Sequence, residues 1–230
     1  RIQSILSSAP VGFEGTASWL ERLGNILNIS EKKIGMAKQS VLPAIKTSLK
    51  ERKIGGTVTM SGYEGSELLV ARLLVESGLT VKYVGTACPR TPQNKIDESW
   101  LKDKGVKVTF RSSMENDIHA MTEYKPDLVI GTTPVVQHAK EKAIPSLYFT
   151  NLISARPLMG KLGTGSILDV LGDAMNNGDR FKKMRKFFTG VGVDSASGVW
   201  HEAKSEQKEK KLSIQGKTVS TSSKKESIKC

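Results

Sequence analysis

Short apolar runs that alternate with amphipathic segments between Gly55 and Asn151 constrain the fold of this chain more than any other feature. The runs are bounded by Gly, Pro and hydroxyl residues, a pattern typical of strands buried on both faces. Each is followed by helical periodicity, and repeated strand–helix alternation predicts a parallel sheet. The alternation within the third run also predicts a wetter face or an edge position. The predicted strands lie at residues 57–60, 81–84, 106–110, 127–130 and 146–149.

The loop at residues 61–66 follows the first predicted strand and leads into a predicted helix. Ligands of open parallel sheets bind at the carboxyl ends of the strands. Gly62 and Gly65 permit a tight turn, and amides at a helix start favour anions. The loop lacks the glycine fingerprints of dinucleotide and nucleoside triphosphate sites. It therefore predicts either an anion site or an ordinary strand-to-helix connection.

Composition divides the chain into four parts. Residues 1–55 are predicted to be a helical remnant of a preceding domain, with Thr16 as the N-cap of the first helix. Residues 56–151 form the α/β domain, and residues 152–202 form a Gly/Pro-rich loop (152–165) and helices that pack back. Residues 203–230 are rich in Lys, Ser, Glu and Thr and are expected to be a disordered basic tail. Because the chain begins at Arg1 and not at Met, we expect it to be a fragment of a longer protein.

The net charge of +12 is densest in that tail. Residues 203–230 hold 8 Lys and 3 Glu, a net of +5 in 28 residues, which leaves +7 for the other 202. Basic–aromatic stripes and RNA-binding signatures are absent from the sequence, so we expect no nucleic-acid partner. No apolar run is long enough to predict a membrane span. The two cysteines, Cys88 and Cys230, indicate a reducing, cytoplasmic location and are too few to hold an iron–sulfur cluster.

Three segments, at residues 83–92, 125–136 and 144–160, resemble the family of chlorophyllide a reductase Y subunits. The third, which ends in Arg156-Pro157-Leu158-Met159-Gly160, is the most specific. The broader family is nitrogenase component 1, which includes the dark-operative protochlorophyllide reductases. The resemblance covers roughly residues 8 to 200 and implies a Rossmann-like α/β fold of nitrogenase component 1 type, flanked by helices.

The resemblance also implies an activity for the whole protein. It would be an oxidoreductase acting on CH–CH bonds with an iron–sulfur donor, reducing a ring-B double bond of chlorophyllide a in bacteriochlorophyll synthesis. An ATP-hydrolysing reductase, subunit X, would pass electrons to a Y–Z heterotetramer, where a [4Fe-4S] cluster relays them. The family's cluster cysteines in subunit Y lie in its amino-terminal third, which the resemblance places outside this chain. We therefore assign no metal ligand here and expect this piece alone to be inactive.

Four residues are candidates for contact with the substrate: Tyr63, Glu64, Arg156 and Met159. The resemblance places Met159 where true nitrogenase has a histidine that ligates its metal cofactor, and a thioether is a poor ligand for such clusters. That change suits a flat macrocycle. Arg156 could pair with a propionate, and the loop of Tyr63 and Glu64 could meet a carboxylate. A surface turn explains Arg156 and Met159 as well, and no catalytic residue is assigned.

Cys88 has two interpretations. It is a pocket-wall or cluster-proximal thiol with its pKa lowered by Arg90, or it is a small buried residue.

Two other functions remain open. A related protochlorophyllide reductase or cofactor-assembly subunit would keep the fold and change the substrate. A non-catalytic anion-binding α/β module would use the loop at residues 61–66 for a phosphate or a sugar nucleotide.

Overall fold

The computed structural model of the protein describes residues 7–188, and side chains as far as Arg185. The predictions for residues 189–202 and for the tail at residues 203–230 lie outside the described residues. The division of the chain into four parts stays a prediction.

Five parallel strands form one sheet in the order β3-β2-β1-β4-β5. Every neighbouring pair is parallel, and β3 is at an edge, as its alternation predicts. The expected Rossmann-like sheet is therefore confirmed. The strands are β1 (Thr57–Gly62), β2 (Thr80–Thr86), β3 (Lys107–Phe110), β4 (Leu128–Gly131) and β5 (Ser146–Tyr148).

Nine helices surround the sheet within the described residues. Ser113 caps α5, because its Oγ accepts the N–H of Asn116 at 3.3 Å. Gly78 follows α3 with φ +99°, the left-handed conformation that favours glycine after a helix. The helices are α1 (Gly12–Ile26), α2 (Glu31–Glu51), α3 (Glu67–Glu76), α4 (Lys95–Asp103), α5 (Met114–Tyr124), α6 (Thr133–Glu141), α7 (Phe149–Ser154), α8 (Gly160–Asn176) and α9 (Gly178–Phe188).

The main apolar core lies between the sheet and helices α3, α7 and α8. Val70, Leu73 and Leu74 of α3 are fully buried against the strands. Ile167 and Leu171 of α8 belong to the same cluster, so the segment after the sheet packs onto this core. Within residues 7–188, no helix combines the length and the apolar character that crossing a bilayer requires.

The first helix begins earlier than the sequence predicts. Thr16 does not cap it; its hydroxyl lies inside α1 and donates to the carbonyl of Gly12 at 2.6 Å. The cap comes instead from α3, where the Glu76 carboxylate accepts the N–H of Phe13 at 2.5 Å and that of Glu14 at 3.0 Å. A carboxylate distant in sequence performs the role that the local pattern assigned to Thr16.

The segment after β5 is also more helical than predicted. Phe149 is 1% exposed and begins α7, so the fifth strand ends one residue before it. The predicted loop at residues 152–165 is occupied largely by α7 and α8. One of its glycines serves packing: a Cβ on Gly163 would lie 2.4 Å from the backbone carbon of Leu158. Close backbone approach therefore explains this glycine better than a break in the helix does.

Candidate functional site

The candidate site lies at the carboxyl edge of the sheet. β1 is followed by the loop at residues 63–66, which leads into α3, and β5 is followed directly by α7. β1 lies between β2 and β4, so the chain leaves it for one side of the sheet and later returns to the other. Ligands of open parallel sheets bind near such a reversal of strand order. The loop after β1 is therefore the position where a ligand site is expected.

Tyr63 and Glu64 meet the start of α7 at this edge. Thr150 Oγ1 donates to Glu64 Oε1 at 2.9 Å and lies 3.4 Å from the Tyr63 hydroxyl. Tyr63 is 58% exposed, and Glu64 is exposed as well. A ring, a carboxylate and a hydroxyl therefore face solvent together, on elements fixed by the sheet.

The amides of this loop are already occupied by the protein itself. Glu67, the first residue of α3, is fully buried, and its Oε1 accepts the N–H of Glu64 at 2.7 Å and that of Gly65 at 3.2 Å. Its Oε2 accepts the hydroxyl of Thr86 at 3.0 Å. An external anion would have to displace a charged internal acceptor from the same donors. The structure thus argues against the loop as a phosphate cradle, and with it against the anion-binding alternative.

A second buried carboxylate lies beside the first. Asp117 of α5 accepts the Tyr83 hydroxyl at 2.8 Å and the Ser112 hydroxyl at 2.7 Å. Burial raises its pKa above the ordinary value, against hydrogen bonds from Ser112 and Tyr83 that lower it, and the charge of Glu67 adds to the increase. Burial, together with the Asp117 carboxylate, raises the pKa of the Tyr83 phenol to about 12. Two acidic side chains, Glu67 and Asp117, therefore lie beneath the surface of the sheet edge, shielded from water.

Asp117→Asn is expected to flatten the dependence of stability on pH. The native pKa of Asp117 lies above its unfolded value, so the native state binds the proton more tightly and stability falls as pH rises from about 4 upward. Asn keeps an acceptor for Tyr83 and Ser112 but has no charge to bury. In urea unfolding measured at a series of pH values, the free energy of unfolding of the variant should rise relative to that of the wild type as pH rises. Asp103→Asn, an exposed control on α4, should leave the slope unchanged; equal slopes for Asp117→Asn and wild type would contradict the account.

Arg156 and Met159 lie in the turn between α7 and α8. The Arg156 guanidinium is half-buried and lies 3.5 Å from the carbonyl of Asn151, and Met159 is 56% exposed. Arg156 lines an open cavity of about 460 Å³ together with Lys161 and Leu162, and with Arg52, which pairs with the Glu51 and Asp169 carboxylates of the same lining. Leu162, in the first turn of α8, is 76% exposed. The turn therefore combines a cation with exposed apolar side chains.

The structure brings the four candidate residues into two pairs. Tyr63 and Glu64 contact Thr150, while Arg156 reaches Asn151, the next residue along α7. The six-residue helix α7 therefore links the pairs without placing them in direct contact.

Sequence reasoning missed Glu67 and Asp117 as members of this edge. Gly85 was the available signal for Asp117, since glycine inside a strand often marks a close approach. A Cβ at that position would lie 2.1 Å from Asp117 Oδ1.

Arg90, whose charge was considered as an activator of the Cys88 thiol, is hydrogen-bonded to a carboxylate instead. The Cys88 Sγ is 3.5 Å from the carbonyl of Tyr63, whereas Arg90 is bound to Glu98 at 2.6 Å. The Arg90 guanidinium is therefore engaged by a carboxylate, and the interpretation of Cys88 as a thiol activated by Arg90 gains no support. Cys88 is the one cysteine among residues 7–188, and a [4Fe-4S] cluster takes about four thiolates, so the described residues do not fit such a cluster. In this part of the chain no group of three or more His, Cys, Asp or Glu side chains is arranged to hold a metal.

Comparison with known proteins gives the same assignment as the resemblance. The chain is 53% identical over 201 residues to the chlorophyllide reductase 52.5 kDa chain of Cereibacter sphaeroides, covering 87% of this chain and 40% of that relative. The corresponding chain of Rhodobacter capsulatus is 52% identical over 200 residues, with the same coverage. Subunit N of the light-independent protochlorophyllide reductase of Pinus koraiensis is 23% identical over 137 residues, 56% of this chain and 29% of the relative. The chain thus spans about two fifths of the length of its two more similar relatives.

Solved structures support the fold independently. A structure of nitrogenase Cp1 at pH 6.5 superposes with a TM-score of 0.55 at 19% identity, covering 74% of this chain and 39% of that one. The structure of the same protein at pH 5 gives a TM-score of 0.57 at 14% identity, covering 76% and 42%. The family model for nitrogenase component 1 type oxidoreductases matches residues 2–176. The chain therefore belongs to the nitrogenase component 1 type oxidoreductase family.

Proposed function

We propose that the protein is a subunit of a chlorophyllide a reductase and that this part of it supplies a wall of the substrate cavity and a subunit interface. The observation that carries the proposal is the identity of 53%, extending over 87% of the chain, with a chlorophyllide reductase chain. The protochlorophyllide reductase relative matches a smaller share of the chain at 23% identity, so the corresponding activity is the second candidate. An assay of the assembled enzyme with chlorophyllide a and with protochlorophyllide distinguishes the two candidate activities.

The proposal includes groups and partners that lie outside this part of the chain. A separate ATP-hydrolysing reductase, subunit X, would deliver electrons, and subunit Z would complete the catalytic unit. A [4Fe-4S] cluster would relay the electrons, with ligands beyond the described residues. The compartment would be the reducing cytoplasm, in agreement with the two cysteines of the sequence.

The chemistry of the sheet edge suits a tetrapyrrole. A chlorophyllide is a flat apolar ring with a carboxylate at its rim, so its site needs apolar surface and a nearby cation. Met159 and Leu162 are exposed apolar side chains, and Arg156 lies in the same turn and lines the same cavity as Leu162. Tyr63 presents a further ring surface at the other end of α7.

Arg156→Ala in the assembled reductase is expected to raise the KM for chlorophyllide a roughly tenfold, since a charge-assisted bond to the pigment carboxylate would be lost. Met159→Ala should raise it by a smaller factor, because apolar contact with the ring is reduced. Both should leave subunit assembly intact, as measured by co-purification and size-exclusion chromatography.

Two exposed residues provide matched controls for this experiment. Arg180 is an exposed residue in the first turn of α9. Met36, on α2, is 60% exposed, close to the exposure of Met159. Arg180→Ala and Met36→Ala should leave KM and turnover unchanged. Unaltered kinetics in both test variants would remove Arg156 and Met159 from the cavity.

A further inference from the structure

The exposed face of α4 carries a cluster of cations that is organised by a buried carboxylate. The Glu98 side chain is 5% exposed, and its Oε1 accepts both Arg90 Nη2 and Lys102 Nζ at 2.6 Å. The two cations are 58% and 53% exposed, so one inward-facing carboxylate holds two outward-facing charges. Loss of hydration raises the pKa of Glu98, but Lys102 and then Arg90 outweigh it and lower the pKa below the ordinary value.

Further contacts fix the geometry of this cluster. The Arg90 guanidinium lies over the Phe110 ring, with its carbon 5.1 Å from the ring centroid. Lys95 shares the face with Lys102, and both line an open concavity of about 560 Å³ that also contains Thr91 and Ser99. The charged lining is thus three cations against one carboxylate. Because Glu98 holds Arg90 and Lys102 in place, a partner that binds them would not have to order both side chains from free rotation.

We propose that this face of α4 is a docking surface for an acidic segment of a partner protein. Exposed cations are screened by salt, so a single small anion would be held weakly. Several carboxylates engaging Arg90, Lys95 and Lys102 together would bind cumulatively and steer the encounter. The hydroxyls of Thr91 and Ser99 add neutral hydrogen-bonding positions between the charges.

A nucleic acid fits this surface less well. Binding of single strands relies on aromatic faces that stack with bases. The guanidinium of Arg90 covers the Phe110 ring. The aromatic ring that contacts this cluster is thus occupied by one of the protein's own cations.

The test uses the full-length protein in its assembled complex and a fluorescein-labelled oligoglutamate peptide as the probe. Lys95→Gln with Lys102→Gln removes two charges while a Gln side chain can still donate to Glu98. Binding at low salt should weaken by about fivefold, and high salt should abolish the difference. Lys32→Gln with Lys46→Gln, on exposed positions of α2, changes the net charge equally and should not weaken binding.

Zero-length carbodiimide cross-linking locates the contact directly. Peptide mapping should find the probe on Lys95 and Lys102 in preference to Lys32 and Lys46. Lys95→Gln alone, which leaves both bonds to Glu98 in place, keeps the test valid if the double variant folds poorly. Absence of binding by the wild type, equal weakening in the α2 control, or cross-links located elsewhere would overturn the proposal. Preferential binding of a single-stranded oligonucleotide through the same lysines would overturn it too, in favour of a nucleic acid.

Discussion

Asp97→Ala is expected to lower the free energy of unfolding by about 3–5 kcal/mol, the cost typical of removing one partner of a buried ion pair. Asp97 Oδ1 lies 2.6 Å from Arg72 Nη1 and 2.7 Å from Ser8 Oγ. The two charged side chains are 5% and 6% exposed, so water does not replace a lost partner. Arg72 Nε already has no hydrogen-bond partner among the described residues. The variant would leave the buried guanidinium without its hydrogen-bonded carboxylate, with the Ser8 hydroxyl and the Trp100 ring still in contact and the Glu76 charge nearby.

Urea unfolding measures this effect, with Asp103→Ala as the matched control. Asp103 ends the same helix and is exposed, so its removal should change stability by no more than about 0.5 kcal/mol. Combining Asp97→Ala with Arg72→Met should recover part of the loss, because the unpaired charge is gone. A cost below about 1 kcal/mol for Asp97→Ala would contradict the isolation of this pair from water.

Glu67→Ala is expected to destabilise the protein by about 3 kcal/mol or more. Three donors lose their acceptor at once: the amides of Glu64 and Gly65 and the hydroxyl of Thr86. The side chain is fully buried, so the substitution also leaves a cavity. The loop that presents Tyr63 and Glu64 would lose the bonds that hold its backbone.

Two controls separate the internal role of Glu67 from its charge. Glu64→Ala removes an exposed carboxylate from the same loop and should cost about 1 kcal/mol or less. Glu67→Gln keeps an oxygen acceptor for the loop amides, and its amide group can donate to Thr86. Its loss of stability should therefore fall between those of Glu64→Ala and Glu67→Ala. A loss of stability in Glu67→Ala no greater than in Glu64→Ala would show that the loop does not depend on this carboxylate. Thermal protection of Glu67→Ala by phosphate would show that the freed amides accept an anion.

The sheet could be predicted from the sequence because its determinants are local. Short apolar runs, a glycine after α3 and a serine before α5 act within a few residues of their own position. The edge position of β3 was one of the two alternatives that its alternation predicted. Phe149 was assigned to a strand because burial alone does not distinguish a strand end from the first turn of a buried helix.

The candidate site could be predicted only in part. Tyr63 and Glu64 could be predicted because ligands bind at strand ends in parallel sheets. Arg156 and Met159 could be predicted through the resemblance to a family. Glu67 and Asp117 were not predicted as members of the edge, since Glu67 accepts the Thr86 hydroxyl and Asp117 the Tyr83 hydroxyl only when the crossovers bring α3 and α5 against β2. The cap that Glu76 supplies to α1 has the same origin. Contacts between residues distant in sequence have no signature in local periodicity.

We propose that the sheet edge beside α7, with the turn before α8, forms part of a wall around chlorophyllide a. The decisive experiment is a cryo-electron microscopy map of the full reductase with chlorophyllide a bound. We expect density for the macrocycle in contact with Met159 or Tyr63, with the pigment carboxylate within hydrogen-bond distance of Arg156. A macrocycle that contacts none of the residues Tyr63, Glu64, Arg156 and Met159 would contradict it.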